Sequence, residues 1–252
     1  IVVKGGLVFS VFIGAVALIA QWEYFRIAFH DRRGNTERFM VWLTYLFVAL
    51  LMGAAHRHAA GFILHLVVLN FIVVNGLAVF LFKYDPSAFE SAKKQIVGVV
   101  YVPLLLSYLI LLRGGTGMEG TKWIFFLLTI VFAGDVGALY AGTFLGKHKL
   151  SPAVSPKKTI EGSLGGICAN VLFGSCFKML FLPQLSWTVC FLFFLSLGIA
   201  GQIGDLFESG LKRVAQVKDS GRILPGHGGI LDRADAAMFA APVAYMFKVY
   251  LF

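Results

Sequence analysis

The sequence predicts an all-α polytopic membrane protein, with about eight transmembrane helices and a polar cavity open to the cytoplasm. Three observations predict it. The mean hydropathy is +0.81, and charged residues make up only 14% of the 252, too few to cover a soluble surface of this size. Runs such as 61–82 and 185–204 contain no Asp, Glu, Lys or Arg, so lipid is the solvent they suit. Against that background, "LKRVAQVKDSGRILPGHGGILDRADA" (211–236) concentrates three Asp, three Arg and two Lys. Charge packed this densely between two apolar segments points to a site.

A helix rising about 1.5 Å per residue needs about 20 apolar residues to cross about 30 Å of hydrocarbon. Eight segments fit: 1–20, 39–55, 61–82, 95–112, 122–146, 160–182, 185–204 and 230–251. The first is too long and too weakly flanked for a cleaved signal peptide, and Trp22, Tyr24 and Arg26 follow it as an interfacial belt. The second is short, and 122–146 is long enough to tilt. Cys168, Cys176 and Cys190 fall inside apolar runs without CxxC or Cys/His spacing and read as small core hydrophobes. Residues 1–121 are expected to form a scaffold with lipid access and oligomer contacts, and 122–252 the catalytic region.

Positive charge sets the orientation, because Lys and Arg in short loops stay on the cytoplasmic side. Segments 30–38, 83–94, 147–159 and 205–229 hold three, three, four and four Lys/Arg, and with Arg233 they account for fifteen of the 22. The opposing loops hold Arg57, Arg113 and Lys122. The polar loops 147–159 and 205–229 are therefore expected to face the cytoplasm. The net charge of +9 follows from this bias and from attraction to anionic lipid. Nucleic-acid binding is excluded, since no soluble basic stripe with stacking aromatics is present. The sequence shows no internal repeat of the kind inverted-repeat transporters carry.

Four clusters of polar residues stand out. Asp135, in "VFAGDVGALYAGTFLGK", lies deep in a span, where a carboxylate costs at least about 2.5 kcal/mol and must face protein, water or an ion; a structural hydrogen bond to another helix is the alternative. Gly134, Gly137, Gly142 and Gly146 would let a neighbouring helix or a ligand approach it. In "GKHKLSPAVSPKKTIEG" (146–162), Ser155 or Thr159 can cap the helix that follows, near Glu161, and its amides with Lys157 and Lys158 suit an anion. A plain positive-inside loop would look similar.

If the helix continues through "GQIGDLFESGLKR" (201–213), Asp205, Glu208, Ser209 and Lys212 share one face, and paired carboxylates there suggest a hard divalent cation such as Mg²⁺. The alternative is a solvated charged face. In the last cluster, Asp219, His227, Gly228 and Gly229 precede Asp232 and Asp235 on the first turn of the final helix. The glycines permit close backbone approach to phosphate, while the helix dipole alone also favours the two acids.

The order and spacing of Ser209, Lys212, Arg213, Lys218, Asp219, Pro225, His227, Gly228, Gly229, Asp232, Arg233 and Asp235 resemble the signature of the phosphatidate cytidylyltransferases. "GDVGALYAGTFLGKHKLSPAVSPKKTIEG" and "GQIGDLFES" are similar to that family too, so the resemblance covers at least 122–252. It implies transfer of CMP from CTP to phosphatidic acid in a bacterial cytoplasmic membrane, with Mg²⁺ required and room for a second ion such as K⁺. It also implies Asp205 and Asp232 as metal ligands, with Asp135, Asp219 and Asp235 in support. Lys157, Lys158, Lys212, Arg213 and Lys218 would cradle phosphate. His227 could donate to a phosphate oxygen, or be structural. Ala234 and Ile160 depart from the family pattern as packing changes. Family members commonly carry another hydrophobic segment before "WEYF", which implies nine helices in a full-length protein. Whether the protein forms a homodimer stays open.

Two other readings share some of these features. A CTP-dependent polyprenol kinase would also join a lipid to a cytoplasmic nucleotide site. An ion or metabolite transporter would use Asp135 with Asn70 and Asn75 but leaves HGG-x-x-DR-x-D without a role.

Overall fold

The computed structural model describes residues 1–29, 34–114, 117–221, 223, 226 and 228–252. Among them are eight helices: α1 Gly6–Phe29, α2 Asn35–His56, α3 Ala60–Leu81, α4 Ala88–Arg113, α5 Met118–Phe144, α6 Ile160–Phe181, α7 Trp187–Val214 and α8 Leu231–Tyr250. Seven are long and apolar enough to cross a membrane, while α8 carries Asp232, Arg233, Asp235 and Lys248 within its 20 residues. Large apolar side chains such as Phe62, Leu64, Phe71, Ile72 and Phe80 on α3 stand exposed. An outward face of that kind is stable only against lipid. The chain is an all-α integral membrane protein.

Several boundaries differ from the sequence reading. Helix α1 runs past residue 20 because Tyr24, Phe25, Ile27 and Phe29 continue its buried face. Helix α4 starts at Ala88, where the amphipathic turn "AFESAKK" buries Ala88, Ser91 and Ala92. Its interior Pro103 lacks an N–H, and the five-residue π-helical turn Val100–Leu104 accommodates it without ending the helix. Helix α7 does not stop at 204 but continues to Val214, so the expected loop 205–229 is shortened by nearly three charged turns of helix. The loop expected at 147–159 is an antiparallel hairpin of β1 Lys149–Ser151 and β2 Ser155–Thr159, with Lys149 opposite Thr159.

Packing depends on small residues at one end and aromatic residues at the other. Helices α5 and α6, joined by the hairpin, run antiparallel, and a Cβ on Gly137 would lie 2.8 Å from the Gly165 carbonyl oxygen. Close backbone approach replaces the hydrophobic drive that lipid removes. Gly201 of α7 likewise meets Ala236 of α8. Away from the hairpin, Trp123 and Phe126 of α5, Phe177 of α6, Phe193 and Phe194 of α7 and Phe247 of α8 interlock. Aromatic bulk fills that end of the bundle, while at the hairpin end the missing side chains of Gly134, Gly142, Gly162, Gly198 and Gly201 leave space beside the polar residues.

Candidate active site

The hairpin end of the bundle encloses a cavity of about 630 Å³ between α5, α6, α7 and the first turn of α8, with hairpin residues Lys149, Leu150, Lys157 and Lys158 in its lining. Apolar Val131, Leu139 and Leu197 line part of it; Asp135, Lys157, Lys158, Thr159, Asp205, Asp232, Arg233 and Asp235 supply its charge and polarity. Thus eight residues singled out from four separate stretches of sequence surround one space.

Each is set by its own element. Thr159 caps α6, its Oγ1 accepting from the Gly162 amide at 3.1 Å, while Ser155 sits on β2 instead. Glu161 turns towards the hairpin, accepting from the amides of Lys147 and His148 at 3.1 and 3.2 Å, and its Oε1 lies 2.6 Å from His148 Nδ1. Arg213 Nε donates to the Val154 carbonyl at 3.1 Å, which ties the hairpin to α7. These contacts place Lys157 and Lys158 in the cavity lining.

Because α7 stays helical, Asp205, Glu208, Ser209 and Lys212 do share a face. Asp205 pairs with Lys158 at 2.5 Å and receives the Ser209 hydroxyl at 3.5 Å. Lys212 lies behind the cavity wall rather than in it, 2.8 Å from Glu208 and 2.6 Å from Asp232. Asp232 Oδ2 accepts from the Ser220 amide at 3.0 Å, the Ser220 hydroxyl at 2.8 Å and the Gly229 amide at 2.8 Å. Gly228, with φ of +83°, makes the turn that presents the Gly229 amide. Lys218 and Asp219 are exposed and do not line the cavity. His227 and Pro225 lie outside the described residues.

Sequence reasoning missed four participants. Ser163 donates to Gln202 Oε1, and Gln202 Nε2 returns a bond to the Ser163 carbonyl at 3.1 Å, bridging α6 and α7 across the cavity. Asn170, only 2% exposed, points its Oδ1 at Gly134 with no hydrogen-bond partner among the described residues. Glu23, from α1, reaches the start of α8. Polar residues inside apolar spans were the available signal for Ser163, Asn170 and Gln202, whereas Glu23 lies beyond the expected end of the first span. Asn70 and Asn75, the other mid-span amides, do not line the cavity.

The donor set suits a hard cation. Asp135, Asp205 and Asp235 repel one another across the cavity, with Lys158 the nearby counter-charge for Asp135 as well as the partner of Asp205. Among the described residues no group of three or more His, Cys, Asp and Glu forms a ligand cage. Mg²⁺ seldom uses one, holding one or two carboxylates together with phosphate oxygens and water. Asp232 could join such a shell only by sharing its carboxylate with Lys212, Ser220 and Gly229.

Fold and cavity together define a class: an integral membrane protein with a charged chamber at one end of its helix bundle. The chain belongs to the Cytidylyltransferase family, whose profile matches residues 1–251, and is a membrane nucleotidyltransferase. It is similar to the phosphatidate cytidylyltransferase of Staphylococcus epidermidis, at 37% identity over 246 residues, 96% of this chain and 90% of that one. The enzyme of the same name from Bacillus subtilis is 32% identical over 245 residues, covering 97% and 90%. That from Staphylococcus aureus is 36% identical over 251 residues, covering 96% and 90%.

Proposed function

We infer that this chain is a phosphatidate cytidylyltransferase, forming CDP-diacylglycerol and pyrophosphate from CTP and phosphatidic acid at the cytoplasmic face of a bacterial membrane. The observation that carries the reading is the cavity itself, where Asp135, Asp205, Asp232 and Asp235 meet Lys157, Lys158 and Arg233 beside apolar, lipid-facing helices. The positive-inside bias supports the cytoplasmic orientation.

The chemistry asks little of a general base. A phosphate monoester has its second pKa at about 6, so phosphatidate is largely a dianion at neutral pH. Its oxygen attacks the α-phosphorus of CTP, the bond from that phosphorus to the bridging oxygen breaks, and pyrophosphate leaves with the electron pair. The obstacle is repulsion between two polyanions, which alignment and fixed cations reduce. Lys157 and Lys158 stand where they can take nucleotide phosphates or the departing pyrophosphate, and Arg233 lines the same cavity from α8. Bound Mg²⁺, held by Asp205 with Asp232 or the neighbouring Asp135 and Asp235, would supply charge neutralisation and in-line orientation. K⁺ is the candidate second ion.

Purified protein incubated with cytidine-labelled CTP, phosphatidic acid and Mg²⁺ is expected to move label into extracted lipid. Label that stays in water-soluble CDP would identify a lipid kinase instead and refute this assignment.

A further inference from the structure

Glu23 is fully buried on α1, a helix whose only other charged residue is Arg26. A carboxylate in that position is costly unless strong donors meet it. Its Oε2 accepts from the Leu231 amide at 2.8 Å and lies 3.3 Å from the Ser220 hydroxyl. Leu231 is the first residue of α8, and Ile230 before it has no side-chain oxygen with which to cap the helix. The free amides and positive dipole end of α8 are therefore met by an acid 208 residues away in the chain.

The segment around this acid is shaped to it. A Cβ on Gly229 would lie 2.6 Å from Glu23 Oε1, and one on Gly221 would lie 2.7 Å from Glu23 Cδ, so both backbones rest directly on the carboxylate. On the other side, Asp232 takes the Ser220 and Gly229 amides. Glu23 and Asp232 thus both hold Ser220 and the turn entering α8, and the Ser220 hydroxyl bonds to each.

We propose that Glu23 is a positioning residue for nucleotidyl transfer: by capping α8 from α1 it fixes where Asp232 and Arg233 stand in the cavity. Glu23 does not line the cavity, so it acts through the first turn of α8 and not on substrate. The inference rests on the activity proposed above. It also gives the N-terminal helices a part in the site beyond scaffolding.

The test compares full-length wild type with Glu23→Ala, Glu23→Gln and Glu23→Asp, measuring kcat and KM for CTP by lipid-soluble label and hydrogen exchange at the Ser220, Gly229 and Leu231 amides. Glu23→Ala is expected to lower kcat at least about tenfold while KM changes less than about threefold. Exchange should quicken at those three amides while the remaining helices stay protected. Glu23→Gln, whose Oε1 still accepts from Leu231, should recover most of the lost kcat. The proposal is overturned by a Glu23→Ala protein with wild-type kcat, by a Gln variant as slow as Ala, or by exchange that quickens through the whole bundle. Should Glu23→Ala not accumulate as folded protein, Glu23→Asp decides: one methylene short of Leu231, it must show the same loss of kcat, and a wild-type rate there refutes the role. Wild-type protein that puts no label into lipid would refute the assigned reaction alone, and exchange would still show whether Glu23 orders the segment.

Discussion

Lys212 and Asp232, 20 residues apart in the chain, form an ion pair at 2.6 Å that joins the end of α7 to the start of α8. The same ammonium is 2.8 Å from Glu208, whose side chain is 1% exposed. One ammonium therefore bridges two acidic side chains, Glu208 in the wall behind the cavity and Asp232 at its edge. A lysine that looked like a phosphate ligand in sequence is first of all a counter-ion.

Replacing that lysine should cost stability as well as turnover. Lys212→Met leaves two buried acids facing each other, a loss of about 3 kcal/mol for a broken buried pair. Adding Glu208→Gln removes one of the two stranded acids and should restore part of the melting temperature in detergent. If Lys212→Met melts like wild type, the ion pair does not hold α7 to α8.

Asp205 should behave in the opposite way. Its pair with Lys158 is 38% and 27% exposed, so breaking it changes stability by no more than about 1 kcal/mol. Yet Asp205 faces the cavity, and Asp205→Asn should lower kcat by at least about a hundredfold if it helps neutralise charge that develops in the transition state. Melting and turnover measured on one preparation separate the two effects. Retained turnover would remove Asp205 from the site.

The helices were legible because lipid permits few alternatives: long apolar runs must close their own hydrogen bonds, and all eight expected spans have a counterpart among α1 to α8. Cavity residues Asp135, Asp205, Asp232 and Asp235 were legible for the related reason that charge in such a chain is costly. The hairpin was not, since Ser-Pro pairs and lysines at 147–159 read equally well as a loop, and only the tertiary ties from Glu161 and Arg213 order it. The end of α7 was hard to place because its last turns are charged, and their pairing with Asp232 and Lys158 depends on elements distant in sequence. Glu23 escaped notice because the first span was ended at 20, three residues short of it.

Gly137 tests whether the cavity depends on close helix approach. A side chain there would press on the Gly165 carbonyl, so Gly137→Leu should push α5 from α6 and lower stability by about 1–3 kcal/mol, the usual range for overpacking. The same change on the lipid-facing side, Gly76→Leu on α3, meets no atom within 4 Å and should leave melting nearly unaltered. Equal melting of the two variants would show that the α5–α6 seam has room to spare.

Chelation should separate chemistry from fold. The acids lining the cavity already have protein partners in part, Asp205 with Lys158 and Asp232 with Lys212, Ser220 and Gly229, and no cage of three or more ligands exists among the described residues. EDTA is therefore expected to abolish label transfer to lipid, with Mg²⁺ restoring it, while the melting temperature in detergent stays within the equivalent of about 1 kcal/mol, because a metal held mainly by substrate phosphates and water adds little to folding. A large fall in melting temperature on chelation would instead mean that the ion is part of the structure, held by carboxylates that must leave their lysines to bind it.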